Sequence, residues 1–257
     1  MTTLTSSKGK LYLVPAPLDF GCDEPSNLQE VLPQGTLAAA ARLQHWVCEN
    51  AKSARAYLKR IDAVVPLCVP LQQMNIQELP HAVHKKGDHR GEYDARPLLA
   101  PVLAGHDMGL LSEAGMPAIA DPGSSVVRAA HDLGVLVTPL VGPVSVLLAL
   151  AASGLNGQHF AFVGYLPQDA SQRQARLREL EGSAHSSGQS QIFIETPYRN
   201  PALWQALMTH LKGHTRVCVA SGLTLPSAHI ECHDVQTWRQ KNTSPPKDVP
   251  TVFALGV

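Results

Sequence analysis

Leu111-Ser112-Glu113-Ala114-Gly115-Met116-Pro117-Ala118-Ile119-Ala120-Asp121-Pro122-Gly123 is the stretch on which the fold turns. The apolar run Gly109-Leu110-Leu111 leads into it as a short strand, and small residues and prolines then make a loop. Ser124–Leu133 reads as a helix, with Ser124 as its N-cap and Gly134 as its stop. Val135-Leu136-Val137 is the next strand and Val141-Gly142-Pro143 the next turn. Ser145–Ala152 is an alanine/leucine helix closed by Ser153-Gly154. Strand, loop and helix, repeated at this spacing, make parallel βαβ units.

Working outward, Leu11-Tyr12-Leu13-Val14 is a buried strand halted by Pro15-Ala16-Pro17. Leu37–Arg60 has helical spacing, with Val47, Ala51, Ala54 and Leu58 on one face. Ala63-Val64-Val65 is an apolar run before proline-punctuated loop, and the polar stretch His81–Arg96 leads into a helix from Pro97. After Gly157 the pattern restarts. Phe160–Val163 is a strand, Arg173–Glu181 a charged surface helix, and Gly182–Ser190 a flexible Gly/Ser/His stretch. Ile192-Phe193-Ile194 and Val217-Cys218-Val219 flank a helix over Pro201–Leu211, capped by Asn200, and Val252–Leu255 is the last strand. The expected fold is therefore α/β, with two α/β domains and mainly parallel or mixed sheets. Turn chemistry at Ser153–His159 divides them into 1–155 and 156–257.

The chain's 257 residues suffice for two domains, and 44% hydrophobic content supplies their cores. Acidic and basic side chains balance at 21 each, so the basic excess usual for phosphate-tracking proteins is missing. The five cysteines form no C-x-x-C pair and read as reduced thiols of a cytoplasmic protein. Met1–Lys10 lacks a signal-peptide core, and no apolar run reaches the roughly 18–20 residues of a membrane span.

Loops 15–19, 112–118, 142–145, 195–199 and 221–225 each follow an apolar strand directly. In open α/β sheets, loops at the carboxyl ends of strands form the ligand crevice. Ala114, Gly115 and Gly142 let backbone amides approach a ligand, and the prolines pre-order the loops. No G-x-G-x-x-G, P-loop or G-x-S-x-G is present, which removes dinucleotide, P-loop and nucleophile-elbow enzymes. His81, His84, Asp88, His89 and Glu92 match no metal-ligand spacing and read as a solvated loop, so no metal is expected. Arg173, Arg176, Arg178, Glu179 and Glu181 read as a solvent-facing helix, and Trp46, Trp204 and Trp238 as core or interface anchors.

Five blocks resemble the tetrapyrrole methylase superfamily of S-adenosylmethionine methyltransferases, in order and across most of the chain. Leu11–Leu18 is similar to the opening strand and "PTPIGN" loop. Leu111–Gly123 is similar to the "SDAGTPAISDPG" signature of the branch that 2′-O-methylates a cytidine ribose in small-subunit ribosomal RNA. Pro139–Ser145 resembles "PLPGPSA", Phe162–Pro167 "FEGFLP" and Phe193–Arg199 "FYESPHR".

The resemblance implies a homodimer with S-adenosylmethionine in the cleft between its two domains. By position, Pro17, Ala114, Gly115, Met116, Pro117, Ala118 and Ile119 would line the donor from the first domain. Val144, Ser145, Ile194, Val219 and Ala220 would complete it. Glu195 is the candidate catalytic carboxylate, or else it orients Arg199. The acceptor side departs from the pattern. Cys48–Arg55 stands for "AEDTR", Pro17-Leu18-Asp19-Phe20 for "PIGN", Gly222-Leu223-Thr224-Leu225 for "ELTK", and Glu113 for the aspartate of "SDAG". The family-default acceptor is an RNA ribose 2′-hydroxyl. Neutral net charge favours a small-molecule acceptor instead, and the altered Gly222 and Leu225 favour a donor-binding regulatory protein without turnover.

Overall fold

Four- and five-residue runs recur through the first half of the chain, and each becomes a strand of one parallel sheet. The structure, a computed structural model, describes residues 7–19, 21–86, 88, 90–241 and 243–257. His89 and the side chains of residues 84–86 lie outside the described residues, and with them part of the histidine-rich segment. Two compact units divide the chain, one of residues 1–21 and 25–143, the other of 22–24 and 144–257.

The first unit runs β1 (Lys10–Val14), α1 (Leu28–Val31), α2 (Gln34–Ala41), β2 (His45–Cys48), α3 (Ala51–Asp62), β3 (Asn75–Glu78), α4 (His81–Lys86), α5 (Ala100–Leu103), β4 (Met108–Leu111), α6 (Ser124–Asp132) and β5 (Leu136–Pro139). Its strands lie in the order β3-β2-β4-β1-β5, all parallel. Both faces are covered, as parallel sheets require. Trp46, Leu37, Leu58 and Ile61 fill one side, and Leu11, Met108, Leu110 and Val126 the other. Gly109 is needed within β4 because a Cβ there would come within 2.5 Å of the Trp46 ring.

The second unit runs α7 (Ser145–Ser153), β6 (Phe160–Tyr165), α8 (Ala170–Ser187), β7 (Ser190–Glu195), α9 (Asn200–His210), β8 (Arg216–Ser221), β9 (His229–Asp234), α10 (Val235–Lys241) and β10 (Thr251–Gly256). Its sheet, β6-β7-β10-β8-β9, is mixed: β6 and β7 are parallel and the remaining pairs antiparallel. Phe193, Val217, Val219, Phe253 and Leu255 share one face with the buried side chains of α8, α9 and α10. Helix α7 packs over β7, β8, β9 and β10. The units therefore divide ahead of the expected Ser153–His159 turn, because α7 packs on the second sheet.

Several local expectations are corrected. Leu37–Arg60 is not one helix: α2 ends at Ala41, and Val47 belongs to β2, buried beside β3 and β4. Asn50 restarts the helix by accepting from the Lys52 and Ser53 amides. Gly182–Ser190 is no flexible linker, since α8 continues to Ser187 and ends on the left-handed Gly188. Glu181 is buried and accepts from the Lys212 amide at 2.8 Å and from the Thr215 hydroxyl, which ties α8 to the segment before β8. Ser124 is the first residue of α6 and Gly123 its N-cap, and Arg199 rather than Asn200 precedes α9. Pro97 lies within a short 3-10 turn, Arg96–Leu99, before α5. Trp46, Trp204 and Trp238 are buried, and each indole N–H donates to a backbone carbonyl.

Candidate functional site

β1 and β4 are neighbours, yet the chain leaves β1 toward β2 on one side and β4 toward β5 on the other. This is the topological switch point of an open parallel sheet, where a crevice forms beyond the carboxyl ends. The loops there are tied together. The Ala16 amide donates to the Gly115 carbonyl at 2.9 Å, and the Gly115 amide to the Ala16 carbonyl at 3.1 Å. A Cβ on Gly142 would lie 2.3 Å from the Pro15 ring, so the turn after β5 packs directly on the loop after β1. The Tyr57 hydroxyl of α3 donates to the Pro15 carbonyl at 2.8 Å.

The 112–123 loop carries backbone strain. Gly115 and Gly123 have positive φ, and so do Ala118 and Ala120, both at 65°. The left-handed region costs a residue with a Cβ about 1–2 kcal/mol. Such strain clusters at ligand clamps and is held by surrounding contacts. Here a 3.3 Å bond from the Ala118 amide to the Pro122 carbonyl helps to hold it. Pro17, Gly115 and Pro117 are buried, Ala114, Met116 and Ala118 half-buried, and Ile119 exposed. The Ser112 hydroxyl is buried at the start of the loop with no hydrogen-bond partner among the described residues. A strained, small-residue loop with an orphaned polar atom fits a polar small molecule gripped largely by backbone groups.

Three carboxylates interact around this loop. The Glu113 amide donates to Glu49 at 3.3 Å, and the Glu113 carboxylate accepts from the Ser53 hydroxyl at 3.0 Å. Asp121 feels both charges. Burial first, then Glu49 and Glu113, push its carboxyl up to about 8, so it holds its proton at neutral pH. Two other acids prove to be structural. Asp19, at the altered end of the "PIGN" block, is buried in a two-pronged ion pair with Arg60 at 2.9 and 3.2 Å and also accepts from the Ser26 amide. Asp88 is no solvated loop residue. It accepts from the Gly123 and Ser125 amides and from the hydroxyls of Ser124 and Ser125, capping α6 from 35 residues away. Burial alone would raise its carboxyl, but these bonds outweigh it and hold Asp88 below the usual range.

In the second unit, Val144 and Ser145 open α7. Ile194 and Ala220 both oppose Val252 on β10, so the three share a face. Val219 points the other way, into the core with Phe193 and Phe253, which leaves only its backbone for a ligand. Glu195 is buried, and its Oε1 accepts from the Thr196 amide at 2.7 Å, the Thr196 hydroxyl at 3.3 Å and Arg199 Nε at 2.7 Å. A carboxylate oxygen so occupied orients Arg199, whose guanidinium lies 5.2 Å from the exposed Tyr198 ring. In the rewritten 221–225 segment, Leu225 is buried and Gly222 and Thr224 have positive φ.

A parallel sheet with strained loops at its switch point, followed by a mixed sheet, defines an α/β class of small-ligand-binding proteins. Within it, the chain belongs to the tetrapyrrole (corrin/porphyrin) methylase family, whose profile matches residues 36–236. It is 31% identical over 194 residues to ribosomal RNA small subunit methyltransferase I of Escherichia coli O157:H7, which covers 76% of this chain and 58% of that protein. With the protein of that name from Vibrio cholerae it shares 36% over 154 residues, covering 60% and 51%. The matched stretch thus spans less than two thirds of these relatives. Among solved structures, the methyltransferase CobJ is similar at a TM-score of 0.58 and 16% identity, covering 96% of this chain and 94% of that one. Uroporphyrin-III C-methyltransferase of Thermus thermophilus, complexed with S-adenyl homocysteine, has a TM-score of 0.54 at 18% identity, covering 96% and 97%. At such identities the likeness is one of fold. No described helix is long and apolar enough to cross a membrane.

Proposed function

We propose that this protein is an S-adenosylmethionine-dependent methyltransferase acting on a ribose 2′-hydroxyl of ribosomal RNA. The observation that carries the reading is the strained 112–123 loop, locked to the β1 loop through Ala16 and Gly115 at the switch point. Pro17 and residues 114–119 of the first unit would hold the donor, and the family resemblance adds Val144, Ser145, Ile194, Val219 and Ala220 as expected donor contacts. The donor supplies an electrophilic sulfonium methyl group. The protein's part is to hold the hydroxyl in line and take its proton. Glu195 serves as a positioning residue for Arg199. Glu113 is half-buried rather than buried, and its carboxylate's hydrogen-bond partner among the described residues is the Ser53 hydroxyl, so it is the better proton acceptor. Asp121 keeps its own proton below about pH 8 and acts as neighbour rather than base. The resemblance adds a cytoplasmic homodimer, which light scattering tests.

Calorimetric titration with S-adenosylhomocysteine comes first, then radiolabelled methyl transfer to ribosomal RNA and assembled small subunits. Micromolar binding with label on a ribose oxygen is the expected result, and absence of binding ends the reading. In that assay Glu113→Gln lowers kcat by about 10²–10⁴ with donor affinity unchanged. Equal losses in both would assign Glu113 to donor binding instead. A second reading, donor binding without turnover, draws on the buried apolar Leu225 at the place of the family's lysine. Binding without label on any RNA selects it.

A further inference from the structure

The second sheet ends in the edge strand β9, where two of the five cysteines meet. Cys218 on β8 stands directly opposite Cys232 on β9, in the antiparallel register Val217↔His233, Cys218↔Cys232, Val219↔Glu231. Opposed residues of such strands have Cα atoms about 4.5–5.5 Å apart. A disulfide closes over about 4.4–6.8 Å. Val217 and Val219 fill the core beneath α8–α10, so the alternation puts both thiols together on the opposite face. Directly opposed residues hold their Cβ atoms about 4.5–5.5 Å apart, so the strands need shift little for the sulfurs to meet.

The pair is chemically asymmetric. Cys218 is buried and Cys232 half-buried at the edge. Arg216 donates to the Cys232 carbonyl at 3.2 Å, and its charge favours a thiolate beside it. The neighbouring Cys218 thiol and then the Arg216 charge, against the pull of burial, bring Cys232 down. Cys218, beside the Cys232 thiolate and buried, is pushed up. Of the other three cysteines, Cys48 is buried and pushed up to about 12 by burial, Cys22 is half-buried and Cys68 is exposed.

We propose that Cys218 and Cys232 form an oxidation site, which hydrogen peroxide converts to a reversible disulfide stapling β9 to β8. The Cys232 thiolate attacks one peroxide oxygen. An S–O bond forms, the O–O bond breaks, and the departing hydroxide takes a proton to leave as water. The Cys218 sulfur then attacks the Cys232 sulfenic acid. The S–S bond forms, the S–O bond breaks, and the Cys218 proton leaves with the hydroxyl as a second water. Two electrons pass from the sulfur pair to the peroxide, and an external dithiol returns them.

The test treats the reduced full-length protein with hydrogen peroxide, traps remaining thiols with N-ethylmaleimide under denaturing conditions, and maps peptides by mass spectrometry. The untrapped intact mass should fall by about 2 Da. A Cys218–Cys232 linked peptide should appear before Cys68 is oxidised and vanish with dithiothreitol. Arg216→Ala should slow its formation several-fold, and Cys218→Ser should let Cys232 run on to sulfinic acid. Recovery of Cys218 and Cys232 as trapped thiols while Cys68 is oxidised overturns the proposal. So does sulfinic acid at Cys232 of the unaltered protein without the linked peptide. Both wild-type readouts stand even if the serine variant fails to fold.

Discussion

Asp121 is the carboxyl, among the described residues, that the fold works hardest to keep protonated. Its carboxyl titrates near 8 in the folded protein, because of burial and then Glu49 and Glu113, against an ordinary 3.8. The unfolded chain therefore releases this proton first as pH rises. The contribution of Asp121 to stability is complete below about pH 4, shrinks between about pH 4 and 8, and is flat beyond. Asp121→Asn should flatten that slope and leave the variant more stable at pH 8 by on the order of 1–3 kcal/mol, read by urea unfolding at several pH values. An unchanged slope would mean that the cluster is better solvated than its geometry indicates. Asp88 acts in the opposite sense, its stabilising bonds being lost as acid protonates it. The two aspartates differ in how far they can be read from sequence. Asp121 lies inside the quoted signature, whereas Asp88 caps a helix 35 residues away, and no local pattern announces that. Glu195 could be placed after its strand but not judged as a base, because its three donors come from a turn whose geometry only the structure supplies.

Elements were readable where apolar runs are flanked by glycine and proline, as in β1, β4 and the helices from Ser124 and Ser145. Two of the four edge strands were missed, while β5 and β6 kept an apolar run. β3 (Asn-Ile-Gln-Glu) and β9 (His-Ile-Glu-Cys-His-Asp) are polar edge strands and carry no apolar signature. β2 was hidden because His-Trp-Val-Cys is too short to break the helical period around it, and burial between β3 and β4 decides its conformation. The element-scale consequence falls at Gly142, where the β5 turn rests on the Pro15 ring. In Gly142→Ala the new methyl would start 2.3 Å from that rigid ring and 3.0 Å from Leu32. The β1 loop must shift, at a cost of about 1–3 kcal/mol in stability. S-adenosylhomocysteine affinity should fall by about tenfold or more, equivalent to about 1.4 kcal/mol. Gly157→Ala, where an added Cβ meets nothing within 4 Å, is the control and should change neither quantity. Unaltered affinity in the Gly142 variant would remove the 15–17 loop from the donor site.

At the scale of the molecule, two units with separate cores make the contribution of each to donor binding measurable. Tryptophans are placed for this: Trp46 is buried in the first core, and Trp204 and Trp238 pack edge to face in the second. Replacing Trp204 and Trp238 by phenylalanine leaves fluorescence that reports the first unit, and replacing Trp46 leaves fluorescence that reports the second. A ligand stabilises whatever must stay folded to bind it, by about 2.7 kcal/mol at a hundred times its Kd. If the donor is held only by Pro17 and residues 114–119, S-adenosylhomocysteine shifts the Trp46 transition and leaves the other in place. If Val144, Ser145, Ile194, Val219 and Ala220 share it, both transitions move upward together. The family resemblance predicts the second outcome. A shift confined to Trp46 would restrict the donor site to the loops at the switch point of the parallel sheet and withdraw the five residues assigned to the second unit.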